Sequence, residues 1–115
     1  MTEMTTYSEG VAEVTDADFA AEVLAAELPV LVKFTAEWCG PCRQLKPVLG
    51  AIAKEEAARL RIVEIDVDRN PETAVKYGIL GTPTLMVFRS GEPVKSLVGA
   101  RPKRRLLQEL EDVLA

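Results

Sequence analysis

The sequence contains no histidine, one tryptophan and only two cysteines, Cys39 and Cys42. A structural zinc ion takes four ligands, and with no histidine and no further thiol the chain does not supply them. Long apolar runs are also missing, and the longest is far too short to span a membrane. There is no excess of positive charge. The formal net charge is −4, which argues against non-specific nucleic-acid binding. No glycine-rich dinucleotide fingerprint, internal repeat, low-complexity tract or interdomain linker is present. Residues 1–10 lack both a basic flank and an apolar core, so they do not read as a signal peptide, and a cytoplasmic location is expected.

What is present suits a single domain. The chain has 115 residues, of which 48% are hydrophobic, enough for a packed core. Residues 1–10 are polar and are expected to form a flexible tail, leaving 11–115 as the domain. Val11 to Val14 is a short strand candidate at a sheet edge. Thr15 and Asp18 have the spacing of a capping box, opening a helix with Phe19, Val23 and Leu24 on one face and Pro29 at its end. Val30 to Thr35 is nearly continuous in apolar residues, as in a strand buried on both faces. A long helix runs from Gly40 to about Leu60, with Leu45, Val48, Leu49, Ile52 and Ala53 inward and Pro47 expected to kink it. Arg61 to Val67 is the next strand, parallel to the last if the crossover is helical. Asn70-Pro71 reads as N-cap and first turn of a short helix stopped by Gly78. Thr84 to Phe88 and Val94 to Val98 form a hairpin around Ser90-Gly91. Pro102 to Leu114 carries an apolar stripe of Leu106, Leu107, Leu110, Val113 and Leu114.

The two cysteines stand at the corner between the buried strand and the long helix. A helix N-terminus offers unpaired N–H groups and the positive end of the macrodipole, and both favour a thiolate at Cys39. The two-residue spacing lets a disulfide close within one helical turn, with Cys39 as the exposed nucleophile and Cys42 as the resolving thiol. Gly40 permits close approach of another backbone, and Pro41 presets the first turn. An inert stabilising disulfide is the plainer reading, but so short a loop constrains the unfolded chain little.

The run Ala36-Glu37-Trp38-Cys39-Gly40-Pro41-Cys42 resembles the active site of the thioredoxin family. Asp66-Val67-Asp68-Arg69-Asn70-Pro71, Tyr77-Gly78-Ile79, Gly81-Thr82-Pro83-Thr84 and Val98-Gly99-Ala100 extend the resemblance over nearly all the chain. It implies an α/β thioredoxin fold, a central mixed β-sheet flanked by helices on both faces. It implies a protein-disulfide reductase with a redox-active Cys39–Cys42 disulfide and no bound cofactor or metal. The implied partners are disulfide-containing protein substrates and an NADPH-dependent thioredoxin reductase, and the expected state is a monomer. Thr82-Pro83 is expected to be cis. Trp38, Gly40, Pro41, Gly81, Thr82, Pro83, Gly99 and Ala100 are expected to line a flat apolar substrate surface, where Thr82 backbone groups pair with an extended segment. An accessory subunit that binds a partner through this surface is an alternative, and it would keep its role with both cysteines changed to serine. A disulfide oxidase or isomerase is disfavoured by the Gly-Pro pair between the cysteines.

Three positions depart from the family pattern. Thr35 stands where a second tryptophan is usual, and Leu80 where a charged residue is common. Lys33 and Glu64 occupy the places of a buried aspartate and a lysine on the neighbouring strand, so the pair is present with its signs exchanged. Lys33 interrupts an apolar strand, where an unpaired ammonium is costly. Three readings follow: Lys33 lowers the Cys42 pKa, Glu64 is a base acting through water, or the two form a structural ion pair.

Overall fold

The computed structural model describes residues 7, 8 and 10–114. Its strands are β1 (Tyr7–Ser8), β2 (Val11–Glu13), β3 (Val30–Thr35), β4 (Arg61–Asp66), β5 (Thr84–Arg89) and β6 (Glu92–Val98). Its α-helices are α1 (Gly40–Glu55), α2 (Pro71–Lys76) and α3 (Lys103–Leu114), and a π-helical turn spans Ala20–Leu24. The strands form one mixed sheet in the order β1-β2-β4-β3-β5-β6. β3 runs parallel to β4 through the α1 crossover and antiparallel to β5.

Alternation along the strands divides the core in two. Leu31, Ile62, Leu85 and Val87 face α1 and α3, where they meet Leu45, Leu49, Ile52, Leu106 and Leu110. Val30, Val32, Phe34, Val63, Ile65, Met86 and Phe88 face the opposite side, which Phe19, Val23 and Tyr77 cover. β3 is therefore buried on both faces, which is why its sequence is almost unbroken in apolar residues. The hairpin turns at Ser90 and Gly91, both with positive φ (53° and 81°), the backbone pattern that matches strand twist.

Several local expectations need correction. Tyr7–Ser8 of the expected tail pairs antiparallel with Val11 and Ala12, so β2 is not the sheet edge; residues 1–6 lie outside the described residues. The capping box forms reciprocally, with the Thr15 N–H donating to Asp18 (2.6 Å) and the Asp18 N–H to the Thr15 hydroxyl (3.4 Å). The helix that follows is a π turn, its Ala25 N–H donating to the Ala20 carbonyl at 3.0 Å. So short a helix is held by packing, here of Phe19 against the Tyr77 and Phe88 rings. α1 runs unbroken through Pro47 and ends at Glu55. A turn closed by the Leu60 N–H on the Glu56 carbonyl then reverses the chain into β4.

Asn70 holds the N-cap position of α2 but does not cap it. Its side-chain oxygen accepts from the Asp16 N–H. Asp16 supplies the cap instead, its carboxylate accepting from the Glu72 N–H, the Thr73 N–H and the Thr73 hydroxyl.

Candidate active site

β3 ends at Thr35 and a short loop leads into α1, its Cys39 N–H donating to the Ala36 carbonyl at 3.2 Å. Cys39 is the N-cap of α1, and its sulfur accepts the Cys42 N–H at 3.1 Å. Cys39 and Cys42 are joined in a disulfide, with Cα atoms 5.3 Å apart. Pro41, exposed, sits in the first turn of α1, where its missing N–H leaves no gap. The expected exposure of Cys39 is not seen. Cys39 is 3% exposed and Cys42 1%, and both pack with Ala36 and Val67.

Trp38 is 69% exposed and no part of the core. Its indole N–H donates to the Asp68 carboxylate at 2.8 Å, which fixes the ring beside the disulfide. Asp68 was not singled out from sequence. It lies 30 positions away, and only the fold brings the two together. Beside it, Arg69 and Glu37 form an exposed ion pair, and the Asp66 carboxylate accepts the Asp68 and Arg69 N–H groups, shaping the loop after β4.

The Thr82-Pro83 bond is cis. The Pro83 carbonyl accepts the Gly99 N–H at 2.9 Å, tying the two expected substrate loops together. Gly81 and Ala100 are exposed, and Gly40, Thr82 and Gly99 are half-buried. Pro83 is buried, contrary to its expected place on the open surface, because it leads directly into β5, which is buried up to Phe88. Leu80 is fully exposed and Val98 68% exposed, so apolar side chains also stand on this side of the sheet.

Behind the disulfide the polarity reverses. Lys33 is only 3% exposed and lies opposite Glu64 in the β3–β4 register, with Nζ 3.6 Å from the carboxylate. Both project toward α1, in line with Leu31 and Ile62. A cavity of about 390 Å³ is lined by Cys42, Lys33, Glu64, Thr35, Asp66 and Glu13, with Arg43, Lys46, Glu37 and Arg69 also on its wall. Burial pushes the Lys33 ammonium below its ordinary 10.5; Glu64 opposes that shift and Lys46 adds to it.

The family model for thioredoxin matches residues 10–112. The chain belongs to the thioredoxin family. A thioredoxin of Mycobacterium tuberculosis is 52% identical over 102 residues, covering 89% of this chain and 88% of its own. One from Streptomyces clavuligerus is 55% identical over 95 residues, 83% of this chain and 88% of its own. A bifunctional thioredoxin reductase/thioredoxin of Mycobacterium leprae is 49% identical over 102 residues, 89% of this chain and 22% of its own. With its cysteine pair at bonding distance, this thioredoxin-family chain is a thiol–disulfide oxidoreductase that reduces protein disulfides. Among the described residues no cluster of His, Cys, Asp or Glu is arranged to hold a metal ion, and no helix is long and apolar enough to cross a membrane.

Proposed function

We propose that Cys39 is the attacking thiol and Cys42 the resolving one. The observation that carries this is the position of Cys39 at the N-cap of α1, with its sulfur already accepting the Cys42 N–H. The same N–H and the helix dipole stabilise a thiolate there once the disulfide is reduced. Cys42, one turn inside the helix, then releases the substrate by attacking the Cys39 sulfur of the mixed disulfide.

Substrate proteins dock on the face that carries Trp38, Gly40, Pro41, Gly81, Thr82, Gly99 and Ala100, with Pro83 as its floor. An extended segment pairs there with the Thr82 backbone. An NADPH-dependent thioredoxin reductase returns the protein to its dithiol form; the Mycobacterium leprae relative that carries both names in one chain supports that partnership. The protein works as a monomer in the cytoplasm and passes electrons from the reductase to its substrates.

Turnover of a disulfide-bonded protein such as insulin, supplied with NADPH and a thioredoxin reductase, tests the assignment. Cys39→Ser should abolish reduction and trap no adduct. Cys42→Ser should accumulate a mixed disulfide through Cys39. Adduct formation through Cys42 in Cys39→Ser, and none in Cys42→Ser, would reverse the roles.

A further inference from the structure

One peptide plane at the proposed docking face is held from both sides. The Gly99 N–H donates to the Pro83 carbonyl at 2.9 Å. The carbonyl of the same peptide, that of Val98, accepts from Arg101 Nη2 at 2.7 Å. Glycine follows that carbonyl with a φ of 97°, so the side-chain clash that opposes a peptide flip elsewhere is missing. Arg101 is itself fixed by Glu109 of α3, its Nη1 donating to Oε1 at 2.9 Å. Its side chain is 11% exposed. Its remaining nitrogen, Nε, is buried without a hydrogen-bond partner among the described residues.

Stability alone does not account for that burial. A buried ion pair adds little to a fold, and an apolar side chain of similar size would fill the same space without an orphaned donor. What the guanidinium supplies is direction, because its planar fork sets the carbonyl and the carboxylate at fixed angles to each other. We propose that Arg101 is a positioning residue for protein substrates, a strut from α3 that holds the Val98–Gly99 peptide, and with it Ala100, in the orientation the docking face requires. The inference rests on the docking face proposed above. A substrate then meets a loop that is already ordered and does not have to order it on binding.

The neighbouring cations fit this role less well. Lys95 also reaches α3, donating to the Glu109 carbonyl at 2.7 Å and pairing with Asp112 at 2.8 Å. It stands in the middle of β6, opposite Val87, and so ties down the strand rather than the loop. Arg105 is exposed and lies 3.8 Å from the other Glu109 oxygen. Lys103 pairs with Glu55 of α1. Pro102 follows Arg101 directly and its carbonyl accepts the Leu106 N–H, so α3 begins at once and gives the strut a rigid base.

Insulin reduction with NADPH and saturating thioredoxin reductase gives KM and kcat. Dithiobis(nitrobenzoate), too small to span the face, reports thiol reactivity alone. Arg101→Leu should raise the KM for insulin about tenfold, the penalty for ordering one loop residue on binding, and leave kcat unchanged. The rate with dithiobis(nitrobenzoate) should not change, and hydrogen exchange at the Gly99 amide should speed up. Glu109→Ala should match Arg101→Leu, and the double variant should be no worse than either. Glu109→Gln keeps the acceptor oxygen and should lie much closer to wild type, while Arg105→Ala should have no effect. Circular dichroism shows which variants fold; if Arg101→Leu does not, Glu109→Ala carries the same test from the other end of the strut. A normal KM in the folded variants overturns the inference. So does a raised KM that disappears in about 0.5 M salt, which is attraction of the cation for an acidic substrate. Ala100→Glu separates the strut from the docking face. A normal KM there strikes at the face itself, whereas a raised KM there beside a normal one in Arg101→Leu strikes at the strut alone.

Discussion

Single side chains carry the clearest consequences. Trp38 is the only tryptophan and adjoins the disulfide, which quenches a nearby indole. Reduction with dithiothreitol should raise its emission clearly, and identical spectra before and after would contradict its placement. Asp68→Ala should free the ring from its hydrogen bond and lower its fluorescence anisotropy. A second expectation concerns the buried pair. Replacing Lys33 and Glu64 together, as Lys33→Met with Glu64→Leu, should stabilise the protein by about 1 kcal/mol or more in denaturant titrations, because burying both charges outweighs their attraction. The sign with pH follows from linkage. The folded value of Lys33 lies below its ordinary 10.5, so the destabilising contribution is full below the folded value. It is relieved as pH rises from there toward 10.5, and the double variant should lack that rise. Lys33 was legible in the sequence because it breaks an apolar run. Asp68 was not, because nothing local connects it to Trp38.

Among the elements, α2 depends on a residue far outside itself. The Asp16 carboxylate accepts three bonds from Glu72 and Thr73. Burial pushes its pKa up, but the bonds from the Thr73 hydroxyl, the Thr73 N–H and the Glu72 N–H outweigh that and hold it below its ordinary 3.8. Asp16→Ala should lower the melting temperature by about 5 °C, as loss of a cap does in a domain of this size. A depressed carboxylate stabilises above its unfolded value and loses that contribution as pH falls through the folded one. The melting temperatures of wild type and Asp16→Ala should therefore converge in strong acid, and a constant difference down to about pH 2 would refute the assignment. The strands were readable because their residues alternate or run apolar. β3 matches its expected bounds, and Gly78 does follow the end of α2. Helix limits were readable in part: α1 starts at Gly40 and α3 ends at Leu114 as expected, while α1 stops short of Leu60. The π turn and the cap of α2 are settled by partners distant in sequence, which local propensity does not register.

For the whole molecule, the two apolar layers are the source of stability. α3 lies on the layer that α1 also covers, and its first turn is basic, which opposes the helix dipole; Lys103 is paired with Glu55 of α1. Packing must hold it. Leu110→Ala, at a side chain with no solvent exposure, should therefore cost about 2–5 kcal/mol, a large share of the roughly 5–15 kcal/mol typical of a domain. The folded fraction should keep its normal rate of disulfide reduction, since Leu110 belongs to the core under α3 and not to the cluster around Cys39. The parallel pairing of β3 and β4 across α1 was foreseeable from the order of elements; the addition of β1 was not, since two residues carry no pattern. The cavity behind the disulfide has one more consequence. The sulfur pair has an apolar front, with Trp38 and Pro41 exposed, and a polar back, where Lys33 and Glu64 meet. In the docking proposed above, a substrate covers the front and leaves the cavity at the back open, so contact with a partner and solvent access to the buried ion pair do not compete for the same opening.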